Sequence, residues 1–188
     1  MTERDSKVVE FINKYKLCTS NHIYKIYFSQ VDQTVCKRRL KYLTDYGYIQ
    51  REKFNGNNYI YYSDKKVAHR LVAHDLLITD FVVKLLQEGF EILEFKKSFM
   101  LGEIISDAYL KVSKDNRIKN ILLEVQLSSH DCLSKYKKLK KLAIEHTNWD
   151  VLPRIVVAGN VDQQDIPGVK ISYLNLNMEG DLFIWLIL

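Results

Sequence analysis

Apolar residues recur with a helical period at the start of the chain. Val8, Phe11, Ile12 and Tyr15 fall at i, i+3, i+4 and i+7, which predicts an amphipathic helix from about Glu3 to Lys16. Thr19 reads as the N-cap of a short second helix carrying Ile23, Ile26 and Tyr27. Asp32 can cap a third helix, Asp32 to Tyr46, with Gly47 as its left-handed stop. The faces of that helix separate: Cys36, Leu40 and Leu43 point to a core, while Thr34, Lys37, Arg38 and Lys41 form a polar, positive face. After Gly47 a strand over 48–53, a turn at Asn55-Gly56-Asn57-Asn58 and a return strand over 59–62 are predicted. Three helices followed by a hairpin is the order of a winged helix-turn-helix, so residues 1–66 are read as a winged-helix domain.

The pattern then changes. Val67–Glu88 has helical periodicity and ends at Gly89, and Phe90–Phe99, Ile104–Val112 and Ile118–Leu127 read as strands. Ile121-Leu122-Leu123 is the continuous apolar run of a central strand. Cys132–His146 is predicted as a helix, with Leu133, Tyr136 and Leu139 inside, and Arg154–Ala158 as a buried strand. Lys170–Asn175 and Leu182–Leu188 are expected to be further strands. Residues 67–188 are therefore an α-β-β-β-α-β domain, and the fold class is α/β.

Charge sharpens this division. Residues 1–68 carry 13 Lys/Arg against 7 Asp/Glu, while residues 69–188 carry 15 against 16, so the formal net charge of +5 belongs to the first third. That third is the part suited to a polyanion. The opening MTERDSKVVEF lacks the apolar stretch of a secretory signal, and no apolar run approaches the roughly 20 residues of a membrane span. Three scattered cysteines fit neither a zinc site nor a disulfide framework. The expectation is a cytoplasmic protein without membrane insertion.

Two sets of residues carry candidate chemistry. Thr34, Lys37, Arg38 and Lys41 on the third helix and Arg51 and Lys53 on the hairpin would meet the phosphates and base edges of double-stranded DNA. The alternatives for this face are a merely solvated one or a surface for a protein partner. Winged helices commonly read paired half-sites, so a homodimer is expected. The second set is Asp107 and Glu124, each in the middle of an apolar strand. An acid there is costly unless it is paired or metal-bound, and two converging carboxylates suit Mg²⁺.

The segment around these acids resembles the core of the PD-(D/E)XK nuclease superfamily. Ser106-Asp107 stands at the PD element and Glu124-Val125-Gln126 at the acid-X-Lys element. Glu124-Val125-Gln126-Leu127-Ser128-Ser129, followed by Lys135-Tyr136, is similar to the E-x-Q-S pattern of CoiA-like competence proteins. With the winged helix in front, the chain as a whole most resembles the replication-relaxation family of plasmids and integrative elements, which also tends to carry a His where His74 stands.

The resemblance implies a DNA-binding accessory protein acting in replication, relaxosome assembly or conjugative transfer, with relaxase or replication proteins as partners. A transcriptional repressor and a Mg²⁺-dependent endonuclease are the alternatives. In the endonuclease Asp107 and Glu124 would hold the metal, and Asp107, Glu124 and Gln126 would form the catalytic set. Gln126 replaces the motif lysine and brings no charge, so the second domain is expected to be non-catalytic unless Lys111, Lys135 or Lys137 takes that part.

Overall fold

A computed structural model describes residues 1–56, 58–63, 68–128, 131–159 and 162–180. The chain is mixed α/β and divides into two compact units, Met1–Gln87 and Glu88–Leu188.

In the first unit, α1 (Glu3–Tyr15) starts from a capping box in which Thr2 and Asp5 satisfy each other's backbone N–H. Strand β1 (Leu17–Thr19) follows, too short to leave a period in the sequence, and it was not expected. Thr19 does cap α2 (Ser20–Ile23), which runs on into a π-helical turn, Tyr24–Phe28. Asp32 caps α3 (Gln33–Asp45). Gly47, at φ +75°, ends α3 with its N–H on the Thr44 carbonyl and that of Tyr48 on Leu43, a Schellman closure. The hairpin is β2 (Gln50–Phe54) and β3 (Asn58–Tyr62), and β1 adds to its far side to give the order β1-β3-β2.

Helix α4 (Val72–Gln87) follows a 3₁₀ turn, His69–Leu71, and belongs to this first unit. The sequence pattern alone puts it with the second domain. Two side chains explain the difference. The Thr79 hydroxyl donates to the Leu17 carbonyl at 2.7 Å, and Asp80 lies 2.8 Å from Nε2 of buried His22. Nδ1 of His22 accepts from the Thr19 N–H at 3.2 Å, so the proton sits on Nε2 and is donated to Asp80.

The second unit is a five-stranded mixed sheet in the order β4-β5-β6-β7-β8. Strands β4 (Glu91–Leu101), β5 (Ile104–Lys114) and β6 (Arg117–Gln126) form an antiparallel meander. The turn between the last two places Asp115 and Asn116 in the left-handed region. Strands β7 (Arg154–Gly159) and β8 (Ile171–Leu174) run parallel to β6, which requires a crossover. A 3₁₀ turn, Ser134–Lys138, and α5 (Leu139–His146) provide it.

This crossover is shorter than the expected helix from Cys132. The Asp131 carboxylate accepts from the N–H groups of Leu133 and Ser134 and sets the start two residues later. Tyr136, Leu139 and Leu142 pack on Leu122, Ile155 and Val157 of the sheet. The strand expected over 182–188 lies outside the described residues. Among the described residues no helix is long and apolar enough to cross a membrane.

Candidate functional site

The basic residues of the first unit converge. Lys37, Arg38 and Lys41 from α3 and Arg51 from β2 line one groove of about 400 Å³, floored by Tyr59 and Tyr61 of β3. Helical spacing brings the three α3 cations to one side, and the pleat points Arg51 to the face shared by its cross-strand neighbour Tyr61. The Arg51 guanidinium lies 4.7 Å from the centre of the Tyr59 ring, a cation–π contact that holds it toward the groove.

Lys37, Arg38 and Lys41 are exposed, and Lys41 is ion-paired with Asp45 one turn on. Lys53, paired opposite Tyr59, is exposed on the same strand but is not among the residues lining this groove. Thr34 is not among the residues lining the groove, and its N–H donates to the Asp32 carboxylate that caps α3, at 2.8 Å. The helix carries one more arginine, Arg39, which turns inward. Its guanidinium pairs in bidentate fashion with buried Asp5 of α1, holding that carboxyl far below its ordinary range, and it stacks over Tyr42.

In the second unit the two acids of the sequence pattern are neighbours. The β5–β6 ladder ends at the pair Ala108–Leu123, and beyond it the Asp107 carboxylate accepts the Val125 N–H at 2.7 Å. Glu124 is buried, 4% exposed, and accepts from the Tyr136 hydroxyl and from the Lys135 ammonium at 3.0 Å. Lys135 also donates to the Ile105 carbonyl at 2.6 Å. Burial pushes the Glu124 carboxyl up to about 7, against the lowering pull of Tyr136 and Lys135, and the Asp107 charge adds to the rise. The same burial, with Glu124 beside it, raises the Tyr136 phenol.

A divalent cation can be taken by one or two carboxylates if water or substrate fills the rest of its octahedron. Asp107 and Glu124 are two such groups, but the described residues contain no gathering of three or more His, Cys, Asp or Glu. Both Glu124 oxygens already receive protons from Tyr136 and Lys135. A metal there would have to displace an ammonium that neutralises the same charge. The donor set as arranged does not fit a resident Mg²⁺.

Of the lysines considered for the place left by Gln126, Lys135 reaches Glu124, while Lys111 lines a different groove on the sheet. The spacing of Tyr136 predicts a core residue. It is fully buried as expected, but it also holds Glu124, a partnership visible only once the crossover is folded over β6. His74 lies 3.4 Å from Asp75 on α4. No protein-family model and no curated protein matches the sequence.

Proposed function

We propose that the chain is a duplex-DNA-binding accessory protein of a plasmid or integrative element, with its second unit serving as a non-catalytic platform. The observation that carries this reading is the groove in which Lys37, Arg38, Lys41 and Arg51 face one another. Four cations from a helix and a hairpin, with amphipathic tyrosines between them, match a helix laid in the major groove with a wing on the adjacent backbone. The order α1-β1-α2-α3-β2-β3 supports a winged helix. The meander β4-β5-β6 with a crossover to parallel β7, and acids on β5 and β6, supports a nuclease-like second unit. Replication or relaxosome proteins are its proposed partners, and a homodimer its proposed state on paired half-sites.

The test is binding of the full chain to duplex DNA across a salt series. Affinity should fall steeply with salt, with a slope set by the number of phosphates neutralised. Binding that is indifferent to salt, or unchanged when Lys37, Arg38, Lys41 and Arg51 are all replaced by Ala, would remove the proposal.

The nuclease reading has one observation in its favour. Lys135 supplies the charge that Gln126 lacks. It does so by closing over Glu124, which is why the non-catalytic reading is preferred. Metal-dependent cleavage that disappears in both Asp107→Ala and Glu124→Ala would reverse that preference.

A further inference from the structure

A second concave site lies on the sheet of the second unit, a groove of about 430 Å³ with Tyr109 and Trp149 in its wall. Its aromatic wall is built as a stack. Phe99 and Tyr109 lie 4.8 Å apart at 29°, and Tyr109 and Trp149 lie 5.6 Å apart at 19°. The middle ring is also tied at its edge: the Tyr109 hydroxyl donates to the Asn120 carbonyl oxygen at 2.9 Å. Trp149 sits in a loop and is only half-buried, and it is held by this stack and by its backbone N–H, which donates to the Thr147 hydroxyl at 3.3 Å. Neither the basic groove nor the acid cluster uses any of these residues.

The remaining groups of the groove define what would bind. The side-chain amides of Asn120 and Asn148 offer donors and acceptors to the edge of a planar ligand, and the carboxylates of Glu94 and Asp150 accept only. The lining holds these two carboxylates and one ammonium, Lys111, and Glu94 is ion-paired with Lys96 at 2.6 Å, so the groove has no excess of positive charge to draw a phosphate. Near-parallel rings continue a stack. They do not enclose a cation as rings set at right angles around it would.

We propose that this groove takes an unpaired nucleobase, one carrying an exocyclic amino group, stacked at Trp149 with its amino edge toward the carboxylates. The backbone phosphates of such a strand would stay outside the groove. Stacking on an aromatic platform is how single strands are commonly held, and the carboxylates add a preference among bases. The inference stands apart from duplex binding by the first unit.

Cytidine and uridine differ at one ring position, amino against carbonyl, and carry no phosphate. Titration of each into the ¹⁵N-labelled full chain, followed at the indole signal assigned with Trp149→Phe, tests the proposal. Cytidine should shift that signal saturably and bind about fivefold or more tighter than uridine. Asp150→Ala, at an exposed position, should shrink the difference, and Trp149→Ala should abolish binding, read in that variant from the backbone amide signals of the groove. The double variant Arg38→Ala/Lys41→Ala should leave cytidine binding unchanged while weakening duplex binding, which separates failure of this site from failure of the basic groove. The proposal is overturned by no saturable shift with either nucleoside at tens of millimolar. Equal affinities for the two nucleosides, or a stronger response to tetramethylammonium, would overturn it as well.

Discussion

Lys135, on the crossover, reaches Glu124 of β6 at 3.0 Å and the Ile105 carbonyl of β5 at 2.6 Å, so a single ammonium ties two strands to the connection that covers them. The Glu124 carboxyl that receives it is buried, and its folded value stands near 7, above the ordinary 4.5. The sign of the pH effect follows. Between 4.5 and 7 the folded state holds a proton that the unfolded state has released, so stability from this group is complete below 4.5 and is lost as pH rises to 7. The loss is on the order of 3 kcal/mol. Urea unfolding from pH 4.5 to 7.5 measures it. Both tryptophans, Trp149 and Trp185, follow residue 87 in the sequence, and Trp149 fluorescence reports the second unit. Glu124→Gln should flatten the dependence in this window. An unchanged slope in Glu124→Gln would show that Glu124 titrates at its ordinary value.

Asp5 and Arg39 give the first unit an opposite dependence in a different window. The Asp5 carboxyl is held well below its ordinary 3.8 by the Arg39 guanidinium. Its contribution is therefore present above 3.8 and is lost as pH falls below it. Arg39→Ala leaves a buried carboxylate with only its cap contacts. Breaking a wholly buried pair costs ~3–5 kcal/mol, and because the Arg39 side chain is 33% exposed we expect about 2 to 3 kcal/mol. Denaturation at pH 7 followed by far-ultraviolet circular dichroism measures it. DNA binding by the remaining folded protein should change little, since Arg39 faces α1 and not the groove.

Periodicity made most elements legible. The caps at Thr19 and Asp32 and the stop at Gly47 are local chemistry, and the structure has them where the sequence puts them. β1 was not legible, because three residues carry no period and the strand exists only by pairing with β3. The place of α4 was hidden for a similar reason. Its apolar faces announce a helix, but only the Thr79–Leu17 and Asp80–His22 bonds say which unit it joins. Asp107 and Glu124 stood out as acids in apolar strands, and their closeness follows from adjacent strands. Which lysine answers them did not follow, since Lys111, Lys135 and Lys137 are equal in spacing terms until the crossover is folded.

Gly159 closes the β6–β7 pairing opposite Gln126, at φ +151°. A Cβ built there would stand 2.0 Å from the Gln126 carbonyl oxygen, which is backbone and cannot swing aside. Gly159→Ala should therefore separate the strand ends beside Glu124 and cost ~3 kcal/mol or more. Gly56→Ala is the control. Gly56 also has a positive φ, but nothing lies within 4 Å of its added Cβ, so only backbone strain of about 1 kcal/mol is expected. Equal losses for the two variants would mean that β6 and β7 are not this close.

If α3 binds duplex DNA as proposed, Asp45 would compete with a phosphate for Lys41. The two side chains are ion-paired across one helical turn, and both are about half exposed, so the pair itself contributes little to stability. A phosphate arriving at Lys41 would have to displace a carboxylate. Asp45→Ala should then raise duplex affinity a few-fold and leave folding stability almost unchanged. Lys41→Ala should lower affinity and reduce the salt slope by about one unit, the signature of one lost phosphate contact. Combining the two separates the effects: in the Lys41→Ala background, Asp45→Ala should retain only its long-range effect on the phosphates, smaller than in the parent and falling with salt. Fluorescence anisotropy with labelled duplex over a salt series measures all four proteins. If Asp45→Ala left affinity unchanged in the parent, Lys41 would not be a phosphate contact, and the DNA face of α3 would narrow to Lys37 and Arg38.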